Sequence, residues 1–431
     1  MPKAKTTNVM DADETLVNES IPKAKAKKEP KEPKVKEPKE PKEPKVKKES
    51  KEPKVKKESK EPKVKKAKKE PKEEVPEYLR SQIITYMGNK RKILPRLEEI
   101  LIYIKQQLGK DKLKIGDGFS GSGIVSRMFK KHASDLYTND LAGYSRTLNS
   151  CYLATPSPET FAKICEYVDE ANRKGDEMDV KAPWISKHWT GARAYYTETN
   201  GKRIDAMREY IQTIPEDFRD FVMAPLLVEC SIHANTNGQF ASFFKGGFGG
   251  KTGTDLKRIT QDIRIPYPIF DPHVCNTVVT QMDVFDWTDQ LPRDLDVIYF
   301  DPPYNKHPYD IYYFLLDIIN LFDTFDVPDS YRGQPIRYKS PFNSSVDASS
   351  SVHSLIHRSS SKFILFSYFD HGIIPIHTLI SFFSHLHIHI HSFHHPTYNR
   401  LAGLSHSSFN THEFILCASR GLPPPCDPPS V

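Results

Sequence analysis

Between Lys114 and Leu141 the chain runs through a short apolar strand, KIGD, a glycine-rich turn, FSGSG, a helical stretch (Ile124 to Lys131) and a second strand, DLYTNDL. A strand that turns through glycines into a helix and returns as a strand opens a doubly wound α/β sheet, and this constrains the fold more than any other feature. Further strands follow as NTVVTQMD (276–283), DVIYFD (296–301) and KFILFSYFD (362–370). HIHIH (387–391) alternates with period two, and EFILCAS (413–419) closes the series. Upstream, Ile93, Leu97, Ile100, Ile104 and Leu108 keep helical spacing across 91–108. Residues 155–270 lack strand alternation. They hold helical stretches at 201–211 and 218–229 and a glycine-rich piece, FKGGFGGKTGTD, and so form a mainly helical insertion in the sheet domain.

The first 75 residues are of another kind. KEPKVKKES begins at Lys42, again at Lys51 and, incomplete, at Lys60. Such a segment has too little apolar surface to offset its ordering entropy, so 1–75 is expected to be disordered, a spacer, a weak phosphate-attracting arm or a nuclear-import signal. Residues 21–72 carry 23 Lys against 10 Glu, an excess larger than the +7 of the whole chain. The remainder is therefore slightly acidic, and any nucleic-acid contact in the folded part must come from local cations. The six Cys form no CxxC pair, which fits a reducing compartment and suggests no zinc site. No apolar segment follows Met1 and no stretch is long enough to span a bilayer, so an intracellular protein with no membrane contact is expected.

Two local patterns carry chemistry. Gly118, Gly121 and Gly123 let backbone approach a ligand where the first strand turns into a helix, and Asp140 ends the next strand, where an acid can accept from ribose hydroxyls. A tight turn with a capping acid explains the same residues without a ligand. The turn lacks the Lys-Ser/Thr ending of a phosphate loop. In YFDPPYN a buried strand stops at Asp301, Pro302, Pro303 and Tyr304. A carboxylate and a rigidly held carbonyl can accept two hydrogen bonds from an exocyclic amine, and the tyrosine can stack on the ring that bears it.

These blocks, in order, resemble the amino-group DNA methyltransferases, and most closely the Dam-like (DPPY-type) adenine-N6 methylases. TYMGNKRKIL (85–94), GFSGSG, NDLAGYSRTLN (139–149), YYTETNGKRIDAMRE (195–209), HANTNGQFASFFKG (233–246), VTQMDVFDW (279–287), DVIYFDPPYN, SPFNSS (340–345) and FSYFDHGIIP (366–375) carry the likeness across about 80–420. The resemblance implies a Rossmann-like sheet dependent on S-adenosyl-L-methionine, with a catalytic domain in two parts, 76–154 and 271–431, around a target-recognition region at 155–270. Tyr86, Gly88, Asn89 and Lys90 would meet the methionine end of the cofactor. Asp117, Phe119, Gly121 and Gly123 would line its methionine and ribose. Asp140 would hold the ribose hydroxyls and Asp283 would face the adenine. Asp301 to Tyr304 would hold the target base, with Asp301 also near the cofactor. The family usually has an Asn beside the position of Tyr368, where Phe369 stands here.

Cations and amides of the insertion are candidates for contacts to double-stranded DNA: Lys187, Arg193, Lys202, Arg203, Lys245, Lys251, Lys257 and Arg258, with Asn235, Asn237 and Gln239 suited to adenine edges. The histidines at 385, 387, 389 and 391 alternate onto one strand face, expected to be exposed, and no metal is expected. A monomer in a DNA-containing compartment follows from the likeness, with a cognate restriction endonuclease as an open partner. Cytosine-N4 transfer and a catalytically inactive DNA-binding homologue stay open as alternatives.

Overall fold

The computed structural model describes residues 76–86, 88–322, 324–335, 339–396 and 410–423; the expected disordered tail lies outside them. Among the described residues, seven strands form one sheet: β1 (Leu113–Asp117), β2 (Ala133–Asn139), β3 (Asn276–Thr280), β4 (Val297–Phe300), β5 (Phe363–Phe369), β6 (His387–Pro396) and β7 (Asn410–Ser419). Their order is β3-β2-β1-β4-β5-β7-β6. The first five pair in parallel, and β7 runs antiparallel to both β5 and β6. All four residues of β4, VIYF, are buried, as expected of a parallel strand covered on both faces. The order reverses between β1 and β4, and the crevice at such a switch point is where open α/β sheets bind ligands.

The helices are α1 (Leu94–Leu108), α2 (Ile124–Lys130), α3 (Gly143–Tyr152), α4 (Pro158–Glu177), α5 (Ile185–His188), α6 (Glu198–Thr213), α7 (Glu216–His233), α8 (Leu256–Thr260), α9 (Val284–Gln290), α10 (Asp310–Asn320), α11 (Ala348–Arg358) and α12 (Ile376–Ser381). The reading of 91–108 as one helix is corrected at its start. Lys90–Lys92 form a separate 3₁₀ turn, and α1 begins at Leu94 with Pro95 in its first turn, where a missing N–H costs nothing. It stops at Gly109, whose φ of 62° gives the left-handed cap. Its buried stripe, Leu97, Ile100, Leu101 and Ile104, covers one sheet face together with Phe129 of α2. Trp287 of α9, Leu355 of α11 and Leu379 of α12 cover the other.

The insertion is helical, as its sequence implies, but it shares its core with the sheet domain. Ile164 and Val168 of α4, Ile204 of α6 and Leu227 of α7 join one cluster with Leu148 of α3 and Phe314 of α10. Ser157 caps α4 by accepting from the Thr160 amide, and Thr197 caps α6 through Asn200. The expected exposure of the alternating histidines holds at His385 and His387 and fails at His391. His391 is only 1% exposed and its Nδ1 lies 2.9 Å from Arg96 Nη2, because α1 packs over that part of the strand. No helix among the described residues is long and apolar enough to cross a membrane, and no three His, Cys, Asp or Glu side chains group there to hold a metal ion.

Candidate active site

Four adjacent parallel strands each deliver an acid at the carboxyl edge. Asp117 ends β1, Asp140 follows β2, Asp283 follows β3 as the cap of α9, and Asp301 follows β4. Beside them lies a cavity of about 380 Å³ lined by Tyr86, Gly118, Phe119, Asn139, Asp140, Asp283, Asp301, Pro303, Tyr309 and Phe342, among others. That volume lies in the range of small-molecule and cofactor sites. Phe342 meets Phe119 edge-on at 5.4 Å and stacks on Phe285 at 5.7 Å, giving the cavity an apolar, aromatic end.

The glycine turn is tied to Asp140. One carboxylate oxygen accepts from the Gly121 amide at 2.8 Å and the other from Ala142 at 2.9 Å. Burial pushes this carboxyl up while the amide bonds pull it down, and burial wins. Asp140 is thus a structural clasp as well as part of the cavity wall. Gly121 has φ +50°, and a Cβ there would stand 2.9 Å from Cζ of Tyr86. Tyr86 lies flat against Tyr313, centroids 4.7 Å apart and planes 9° apart, with Tyr309 5.7 Å away. Gly123, also left-handed, abuts Asn149. Behind the turn, Asp117 is 1% exposed. One of its oxygens accepts from Ser126 at 2.5 Å, and the other has no partner among the described residues. Burial, reinforced by Asp301, pushes this carboxyl up to about 7.

The YMGNK segment divides. Tyr86 lines the cavity. Gly88 has φ +72°, and a Cβ there would stand 2.8 Å from the Tyr304 hydroxyl. Asn89 caps the 3₁₀ turn by accepting from Arg91. Lys90 departs from the expectation: its ammonium does not line the cavity but is buried between Asp301, at 3.0 Å, and Glu413, at 2.6 Å. Asp301 retains 19% side-chain exposure, and burial raises its carboxyl to about 6, with Glu413 adding to the rise and Lys90 opposing it. Pro302 is buried and Pro303 faces the cavity. The Tyr304 ring packs 5.6 Å from Phe369, with the Lys90 ammonium 5.6 Å from its centroid.

Sequence reasoning missed several wall residues. Tyr309 and Asp317 belong to PYDIYYFLLD, which carries no motif that marks them for a ligand. Asn343, inside SPFNSS, donates to the carbonyls of Asn305 and His307 at 2.7 and 3.2 Å, holding the loop that follows Tyr304. Only its place in a familiar block marked it.

The candidate DNA contacts also divide. Lys187, Lys202, Asn237, Lys245, Lys251 and Lys257 are exposed, and Gln239 is half-buried. Lys245 lies over the ring of Tyr331 at 4.6 Å, and Tyr331 stacks on Phe243. These three residues edge a second cavity of about 610 Å³. Arg203 and Asn235 are corrected: both are buried and bonded internally. Arg203 donates to the Ile263 carbonyl and pairs with Asp176. Asn235 donates to Ala194 and accepts from Gly249, which ties down the glycine-rich loop. Arg193 and Arg258 likewise donate to backbone carbonyls, of Pro328 and Ser330 and of Ala234 and Thr236.

The family model of the D12 class N6 adenine-specific DNA methyltransferases matches residues 86–374. The chain is 28% identical over 306 residues to the type II methyltransferase M.NlaIII of Neisseria lactamica, covering 68% of this chain and 85% of that one. It is 26% identical over 296 residues to the type II methyltransferase M.CviAII of Paramecium bursaria Chlorella virus 1, with the same coverage. A 25% identity over 304 residues to M.FokI of Planomicrobium okeanokoites spans 45% of that longer protein. The chain belongs to the D12 class N6 adenine-specific DNA methyltransferase family. It is an enzyme that methylates the N6 amino group of adenine in DNA, and its sheet is the Rossmann-like sheet of that class.

Proposed function

We propose that the cavity takes S-adenosyl-L-methionine and that the adjoining DPPY turn takes one adenine flipped out of double-stranded DNA, as in the Dam-like branch of the family. The observation that carries this is the set of strand-end carboxylates, with Asp140, Asp283 and Asp301 lining one cavity that has an aromatic end and Asp117 buried behind its glycine turn. Bound there, the cofactor supplies an electrophilic methyl on a sulfonium. Its cationic groups suit a site where Asp117 and Asp301 are both raised by burial and one Asp117 oxygen lacks a partner among the described residues. Tyr86 and Phe119 form the wall, Gly121 and Gly123 set the turn behind it, Asp140 offers its remaining lone pairs to the ribose, and Asp283 stands by Phe285 and Phe342 at the adenine end.

The amine of adenine is a poor nucleophile because its lone pair is delocalised into the ring. Asp301 and the Pro302 carbonyl accept its two hydrogens, which favours a pyramidal nitrogen with a directed lone pair. Asp301 need not be a strong base, since the amine proton becomes acidic only as the new bond forms. Holding nitrogen and methyl in line at roughly 3 Å supplies much of the acceleration. The amine is unreachable inside a duplex, so the base must leave the stack. Tyr304 replaces part of the lost stacking, worth about 1–3 kcal/mol per base.

Residues 76–154 and 271–431 form the catalytic part in this reading, and 155–270 reads the target through exposed groups such as Lys245 and Asn237. The enzyme acts as a monomer in a DNA-containing compartment, with a restriction endonuclease as its counterpart. Two measurements test the proposal: calorimetric titration with S-adenosylmethionine, and tritiated methyl transfer to DNA by the full chain and by Asp301→Ala. Saturable binding by both proteins, with transfer lost only in the variant, is expected. Near-normal transfer by folded Asp301→Ala would sink the assignment.

A further inference from the structure

Glu413 lies on β7, beyond the residues that match the family, and no part of the methyl-transfer reading uses it. It is 8% exposed. Its register on β7 faces Phe369 of β5 on one side and Phe393 of β6 on the other, and Ser367 Oγ donates to its Oε1 at 3.3 Å. The same oxygen lies 2.6 Å from Lys90 Nζ, whereas Lys90 stands 3.0 Å from Asp301 Oδ1. The second contact is not aligned as a hydrogen bond, and Asp301 Oδ1 has no hydrogen-bond partner among the described residues. One buried cation therefore serves two buried carboxylates, and serves them unequally. An ammonium held by Asp301 alone would be drawn onto it and occupy the lone pairs that an incoming amine needs.

We propose that Glu413 is a positioning residue for methyl transfer: it takes the shorter share of the Lys90 ammonium and so keeps an oxygen of Asp301 open to the target amine. The inference rests on the assignment of Asp301 as the amine acceptor. Glu413 keeps Lys90 close enough to prevent a bare buried charge at Asp301, yet too firmly held to quench it. The elevation of the Asp301 carboxyl, to which Glu413 contributes after burial, agrees with this division. The other titratable or charged groups turned toward the pair are Asp117 of β1, Tyr299 of β4, and Tyr304 and Tyr309 in the loop beyond it. Further along the same face of β6 stands His391, against Arg96. None of these is altered by a change at Glu413, but loss of the Glu413 charge lowers the Asp301 carboxyl directly as well as through Lys90, so the plateau rate rather than the midpoint alone reports on Lys90.

The test uses Glu413→Gln in the full-length protein. The first readout is the carboxyl carbon resonance of Asp301 followed against pH without cofactor or DNA. The second is the single-turnover rate of methyl transfer against pH, with both substrates saturating. In the variant, Lys90 is left to Asp301 alone. The Asp301 midpoint should fall by about one pH unit, as for a carboxylate gaining a closer cation. The acid limb of the rate profile should move with it, and the plateau rate should drop about tenfold or more, while the KM for S-adenosylmethionine changes little. Glu413→Asp keeps the charge one methylene further back and should give an intermediate midpoint. It also provides the test if the Gln variant does not fold. An unchanged midpoint, or a lowered midpoint with an unchanged plateau rate, in a folded variant would overturn the proposal, since a Glu413 acting only through its own charge would shift Asp301 and leave the plateau rate where it was. Because the resonance is read without catalysis, failure here is separable from failure of the Asp301 assignment, which Asp301→Ala alone decides.

Discussion

Gly121 and Tyr86 are in contact at the edge of the strand-end cavity, the glycine at φ +50° with no room for a Cβ beside the tyrosine ring. Thirty-five residues separate them in sequence, yet each fixes the other's place. Gly121→Ala should therefore combine left-handed strain, of order 1–3 kcal/mol, with displacement of Tyr86 from its stack on Tyr313. Calorimetry should show cofactor affinity falling at least tenfold in a protein that still melts cooperatively. Unaltered affinity would mean that the turn does not shape the cofactor wall.

Asp301 sets the expected pH dependence. Its carboxyl titrates near 6 in the fold, so the accepting, ionised form is lost as pH drops below that value. The single-turnover rate should fall about tenfold per pH unit on the acid side. It should be flat from pH 7 to 8.5. A profile flat down to pH 5 would remove Asp301 from the rate-determining proton inventory.

Asp117 makes the same physics visible in stability. Its folded carboxyl sits near 7, against an ordinary value of 3.8, so the native state holds the proton more tightly than the unfolded chain. The resulting stability is full below pH 3.8, declines as pH rises to 7, and is gone above it. Asp117→Asn keeps the shape and cannot ionise. Its Tm should exceed that of the parent at pH 8.5, and the gap should shrink at pH 5. A gap independent of pH would contradict the assignment.

Asn343 bridges to the loop that follows the DPPY turn through two carbonyls. Asn343→Ala frees those carbonyls and should cost about 1–3 kcal/mol in loop order. The expected signature is a reduced kcat with little change in cofactor affinity. Equal losses in both would show that Asn343 serves the cofactor instead.

Lys245 and Arg203 were equal candidates by charge and are opposite in structure. Lys245→Ala should weaken DNA binding, more at low salt than at high, and leave Tm unchanged. Arg203→Ala should lower Tm by leaving Asp176 and the Ile263 carbonyl short of a donor, whatever its effect on DNA. Gel-shift titrations at two salt concentrations, with thermal melts, separate the two outcomes.

The sheet was legible because strand alternation and strand-to-turn chemistry are local. KIGDGFSGSG, YTND and YFDPPY each announce a strand, its end and the residue placed there, and β1, β2 and β4 stop at those points. Local signals fail where a residue's role is decided by what packs on it. Nothing in HIHIHSF says that α1 buries His391, and nothing near Arg203 or Asn235 says that their donors meet backbone from Ile263 or Ala194. Lys90 is the clearest case. As a lysine of YMGNK it is expected at the cofactor. The tertiary structure instead turns its ammonium between Asp301, 211 residues on, and Glu413, 323 residues on, because a buried cation is stable only where long-range pairing brings carboxylates to it.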